Sequence, residues 1–158
     1  MKRATRRTLP VGVHAQDPST LAKIRPSGTT LQDFLDSRPK DAEVEAVRWA
    51  CEIAGETGAS LHVVHVSCAE ALAEIEKARL AGVDVTAEVC SHHLLFNAED
   101  AVRIGARAKC APPLRDQPDV VELWKGLLSG KVTSIGSDHS PAPPDRKTGD
   151  DFFAIWGG

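Results

Sequence analysis

The feature that most restricts the fold of this chain is a repeated change of period. Short β-branched runs are separated by longer stretches whose apolar residues recur every three to four positions. That alternation is the pattern of parallel strands joined by crossover helices, because a parallel connection must carry the chain back to the same end of the sheet. Strands are predicted at residues 9–14, 61–67, 83–90 and 132–137, with a brief one at 106–110. Helices are predicted at 42–55, 69–80, 98–104 and 116–128. In the first of these Val44, Val47, Ala50, Cys51 and Ala54 share one face and Pro39 sits near the first turn. In the last, Val120, Val121, Leu123, Trp124, Leu127 and Leu128 form a broad apolar face. Gly82 and Gly130 stop their helices. The count is about four βα units, whereas a closed (β/α)₈ barrel has eight and about 250 residues. The expected fold class is therefore α/β, a partial (β/α)₈ TIM barrel. Strand counting alone leaves a small open doubly wound sheet as the alternative.

Composition removes several function classes. The 158 residues carry a formal net charge of -3 with pI ≈ 6.1, so the overall balance favours neither nucleic acid nor an anionic membrane as partner. No apolar run approaches the roughly 18–20 residues that span a bilayer, and a cytoplasmic protein is expected. Residues 1–8 form a basic leader of uncertain origin, with Lys2, Arg3, Arg6 and Arg7, ahead of a domain at 9–158. Cys51, Cys68, Cys90 and Cys110 are spread without a CxxC pair and are read as free thiols. There is no glycine-rich phosphate loop and no GxSxG elbow.

The histidines are not scattered. His14, His65, His92, His93 and His139 fall at or just after the C-terminal end of a predicted strand, and so does Asp138. That rim is where βα loops converge and where ligands bind in parallel α/β folds. His14, His65 and Asp138 each end a different strand; two neutral imidazoles and a carboxylate could fill three positions around a catalytic metal and leave the fourth to water. Any one of these histidines alone is as well explained by exposure or by a satisfied core position. His62, three residues before His65, is assigned to the opposite strand face in a structural or helix-facing role. His139 has no assigned role beyond its place beside Asp138.

The strings VHAQ (13–16), DSRPKDAEVEA (36–46), HVVHVS (62–67), AEVCSHHL (87–94), KCAPPLR (109–115), LWKGLLSGKV (123–132), SDHSPAPP (137–144) and DFFAIWGG (151–158) resemble consecutive blocks of the cyclic amidohydrolases. They run in family order along nearly the whole chain. Dihydroorotases, hydantoinases and allantoinases share most of the blocks, and the SRP, KCAPP, SDHSP and FxxWGG segments look most like the allantoinase branch. The resemblance implies strands 5 to 8 of a barrel with a binuclear zinc-type centre, acting on a small cyclic ureide. It implies that His14 and His65 bind one metal, that Asp138 binds the other and serves as general base and then acid, and that Cys110 and Ala111 line the substrate, with His92 nearby.

Three positions depart from the pattern: Gln16 stands for the family's glutamate, and Ser91 and His93 for its proline and tyrosine. No HxH pair and no bridging lysine block is present, so the resemblance implies an incomplete metal site and a truncated piece of a larger enzyme. A complete enzyme of this kind is expected to be a homo-oligomer. An isolated half barrel is expected to self-associate through its two open sheet edges.

Overall fold

The structure, a computed structural model, describes residues 1–5 and 9–157. Four strands, β1 (Val11–Val13), β2 (Leu61–Val63), β3 (Val85–Cys90) and β4 (Ser134–Gly136), form one sheet. All pairs are parallel and the spatial order β1-β2-β3-β4 follows the sequence. A doubly wound sheet reverses its strand order at a switch point. No reversal occurs here, so the arrangement is a partial barrel.

The register explains which residues the helices cover. Val11, Leu61 and Val85 lie in one row and Val13, Val63 and Ala87 in the next along that face. Except for half-buried Val11 and Val13, these residues are buried. The helices, in chain order, are α1 (Lys2–Thr5), α2 (Pro18–Lys23), α3 (Leu31–Asp36), α4 (Lys40–Thr57), α5 (Ala69–Leu80), α6 (Ser91–Leu95), α7 (Ala98–Ile104) and α8 (Gln117–Leu128). Val47, Ala50 and Cys51 of α4, Leu72 and Ile75 of α5 and Leu123 of α8 close the main core over the strands. A smaller cluster, Phe34, Phe152 and Ile155, ties α3 to the segment before the C-terminal glycines. The region between β1 and α4, expected as a polar loop, holds α2 and α3. Both begin on local capping chemistry: Asp17 accepts from the backbone N–H groups of Ser19 and Thr20 with Pro18 at the first turn, and Thr30 and Asp33 form a reciprocal capping box.

Two further expectations change. The brief strand at 106–110 is instead a 3₁₀ turn, Gly105–Ala108, because Gly105 at φ 72 ends α7 and Ala106, Arg107 and Ala108 offer no β-branched face to pair. His62 faces away from the helices; its Nδ1 lies 2.8 Å from the Thr86 hydroxyl, on the face shared with Glu88. Of the basic leader, Lys2–Thr5 form α1 and Met1 packs against the main core, while Arg6, Arg7 and Thr8 lie outside the described residues. Among the described strands β1 and β4 each have one unpaired edge, and Ile135, on the helix-facing side of β4, is 53% exposed.

A buried charged network fastens the loop after β2. The Ser67 N–H donates to Glu43 Oε1 at 2.8 Å and its hydroxyl donates to Glu43 Oε2. Arg115 donates to the Ser67 hydroxyl at 3.0 Å, to Glu43 Oε2 at 3.2 Å and to the Arg38 carbonyl at 2.6 Å. Burial pushes the Glu43 carboxyl above its usual range, and Arg115 opposes that push. Arg115→Ala therefore leaves a buried carboxylate without its partner, and a loss of about 3–5 kcal/mol is expected. Denaturant melts of the two proteins side by side check this; a loss under about 1 kcal/mol would show that the pair is not structural.

Candidate active site

The rim is assembled by strand ends with special backbone. His14 follows β1 directly, His65 lies two residues after β2, Cys90 ends β3 and Asp138 lies two residues after β4. Among the described residues His65 (φ 41) and Asp138 (φ 46) are the non-glycine residues with positive φ. Left-handed backbone at residues other than glycine persists only where the surroundings over-determine it, and it concentrates at functional sites. For His65 the surroundings are visible: the Val64 N–H donates to the Val13 carbonyl at 3.2 Å, the Val66 N–H donates to the Glu88 carbonyl at 2.7 Å, and Ser67 is held by Glu43. The chain is thus pinned on both sides of His65.

His14 Nδ1 and His65 Nε2 are 2.7 Å apart, with the rings edge to face at 75°. Burial, and the neighbouring His14, hold the His65 imidazole below its ordinary pKa, the direction that favours the neutral form a metal binds. A cavity of ≈ 470 Å³ opens beside this pair, lined by His65, His92, His93, Cys110, Ala111, Ser137, Asp138 and His139 among others. The structure thus brings His65, Asp138, His92, Cys110 and Ala111 to one cavity. His14 is not among its lining residues and contacts it through His65. Burial pushes the Cys110 thiol up to about 11, which leaves it protonated and a poor nucleophile.

As a test of fit to a metal, the His14 and His65 nitrogens are close enough for one ion with bonds of about 2.0–2.1 Å to touch both. Asp138 does not join them within 4.8 Å; among the described residues the group that closes to that distance is Cys90, His92 and His93. The cluster after β3 was missed as a unit. Its signal was the CSHH spacing, which puts a strand end and the first turn of α6 side by side.

Gln16 has a partner that no motif indicated. Its Oε1 accepts from Arg38 Nη1 at 2.9 Å, while Gln16 Nε2 and Arg38 Nε are buried without a hydrogen-bond partner.

No family model matches the chain. Curated relatives do. An allantoinase of Rubrobacter xylanophilus is 52% identical over 163 aligned positions, covering 100% of this chain and 36% of the relative. An allantoinase of Solibacter usitatus is 49% identical over the same shares. Among solved structures, a D-hydantoinase from a Thermus species superposes with TM-score 0.92 at 26% identity, over 99% of this chain and 36% of that one. A D-hydantoinase from Bacillus sp. AR9 gives 0.91 at 31% identity, over 99% of this chain and 37% of that one. The fold, the rim and these neighbours define the class as a partial barrel of the cyclic amidohydrolase superfamily, whose members are metal-dependent hydrolases. Within that superfamily the chain is similar to allantoinases along its whole length, and it spans about a third of the length of the curated relatives it matches.

The Gln16 environment yields a test. Burial depresses the Arg38 guanidinium, and Gln16 offers it one acceptor where a carboxylate would offer two. Gln16→Glu is expected to stabilise the chain by about 1 kcal/mol, a rise of about 2–4 °C in Tm. Calorimetry on the two proteins reads it, and an unchanged or lower Tm would mean that the pocket does not welcome the charge.

Proposed function

We propose that the barrel to which this chain contributes hydrolyses a cyclic ureide, opening the hydantoin ring of allantoin to give allantoate. The observation that carries this reading is the run of allantoinase similarity through every rim segment, with His65 and Asp138 in left-handed backbone beside one cavity. His14 and His65 would hold a divalent metal, zinc in this proposal, as part of a binuclear centre. When bound, that metal polarises the scissile carbonyl and lowers the pKa of the attacking water.

Asp138 accepts the proton of that water and returns it to the ring nitrogen as the C–N bond breaks. Its exposed position on the cavity side of β4 supports both halves of that transfer. Cys110 and Ala111 line the substrate from the segment before α8, and His92 lines the same cavity. The proposal takes 9–158 as one barrel segment, preceded by a basic leader at 1–8 whose Met1 packs against the main core. It further assigns a cytoplasmic homo-oligomer whose partner is a small molecule, with no role for nucleic acid or membrane. No helix among the described residues is long and apolar enough to cross a membrane.

A second reading, a non-catalytic piece or a subunit that completes a barrel with another chain, is favoured by one observation: β1 and β4 each expose an edge. A dihydroorotase or hydantoinase substrate is the alternative within the same chemistry. One experiment separates these. The chain is assayed alone and after co-expression with the remaining barrel segment of the Rubrobacter xylanophilus allantoinase, against allantoin, dihydroorotate and hydantoin. Allantoin turnover is expected only in the complemented sample, falling by about 10²–10⁴-fold in Asp138→Asn. A preference for dihydroorotate would overturn the substrate, and an Asp138→Asn sample as fast as the parent would overturn the site.

A further inference from the structure

The rim holds a second group of ligand atoms, outside the His14, His65 and Asp138 set. Cys90, His92 and His93 each present one ligand atom, and the three atoms lie within 4.8 Å of one another. Cys90 is the last residue of β3 and the two histidines occupy the first turn of α6, so a strand end and a helix start bring them together with little freedom. The imidazole of His93 makes this more than proximity. His93 is 3% exposed, and its Nε2 lies 3.2 Å from the Pro112 carbonyl oxygen. A carbonyl only accepts, so Nε2 carries the proton and Nδ1 carries a lone pair. That Nδ1 is buried and has no hydrogen-bond partner. A bare buried acceptor costs about 1–3 kcal/mol unless something engages it. A histidine that donates its other ring N–H to a backbone carbonyl is in the arrangement by which proteins orient a metal ligand.

We propose that Cys90, His92 and His93 form a binding site for one divalent ion of the zinc class, separate from the hydrolytic pair. One thiolate and two imidazoles suit zinc, cobalt or nickel and do not suit magnesium or calcium. Three protein ligands leave a fourth position open, and the cavity that His92 and His93 line supplies it. Cys90 itself is 0% exposed, so the ion enters through that cavity past His92. On binding, the Cys90 S–H bond breaks, a sulfur–metal bond forms and the proton leaves to buffer.

Cobalt(II) titration of the whole chain tests the site, because a cobalt–thiolate bond adds a near-ultraviolet charge-transfer band that imidazole and carboxylate ligands do not. The proposal predicts such a band saturating at one ion per chain, retained in Cys110→Ser and lost in Cys90→Ser. His92→Gln is expected to weaken the ion that gives the band by at least about tenfold. Zinc added afterwards should bleach the band. Absence of the band in the wild-type chain, or its persistence in Cys90→Ser, overturns the proposal. If Cys90→Ser does not fold by circular dichroism, the other two variants decide: loss of the band in Cys110→Ser, or an undiminished affinity in His92→Gln, overturns it. Hydrolysis is not read in this experiment, so its outcome is independent of the proposed activity.

Discussion

The arrangement of this rim depends on a buried ion pair. Glu43 of α4 and Arg115, just ahead of α8, meet across the Ser67 hydroxyl, and all three side chains are almost fully withdrawn from water. Two charges at such a position are costly to desolvate and gain their place only if every lone pair and proton is matched. Here each Glu43 oxygen and each Arg115 guanidinium nitrogen has a partner: Glu43 accepts from the Ser67 backbone and hydroxyl and from Arg115, and Arg115 reaches the Ser67 hydroxyl and the Arg38 carbonyl as well. The consequence is geometric. Ser67 cannot move, Val66 is tied to β3, and His65 between β2 and that anchor is held in left-handed backbone. A helix, a strand end and a distant loop are locked together at the point where the imidazole must be aimed.

That anchoring matters because the site has no single element behind it. His14, His65, the Cys90 to His93 turn and Asp138 come from four strand ends. Parallel strands in sequential order bring those ends to one side, and each added strand shifts the rim around the cavity by one interstrand step of about 4.8 Å. Under the proposed hydrolysis of a cyclic amide, this spacing would put imidazoles on one side for a metal, a carboxylate on the other to carry a proton, and a gap between for the ring. His65 and Asp138 flank the gap from β2 and β4, while the strand between them contributes Cys90, His92 and His93.

Much of this was legible in residue order. The change of period located all four strands and the long helices α4, α5 and α8, because amphipathic spacing over three or more turns is a strong signal. The rim position of His14, His65 and Asp138 followed from their place after β-branched runs. Strand lengths were overestimated, since β1, β2 and β4 have three residues each. Positive φ at His65 and Asp138 ends the pairing early, and nothing in HVVHVS or SDHS announces that turn. The helices α2 and α3 were missed although their caps were written in DPST and TTLQD, because six-residue helices leave no periodicity to read.

By itself, then, the sequence determined the fold class, the rim to which the polar residues belong and the likeness to cyclic amidohydrolases, all of which depend on local pattern. The tertiary structure alone decided the rest. It chose a partial barrel over a doubly wound sheet, because strand order is a matter of which edges meet and not of composition. It turned His62 to the face away from the helices, because register with Thr86 sets the side. It joined Cys90, His92 and His93 into one cluster with a bare imidazole nitrogen, because the Pro112 carbonyl, nineteen positions away from His93, fixes the tautomer. Contacts between residues far apart in the chain carry no local signature, and they are what places a donor, a charge or a lone pair within reach of its partner.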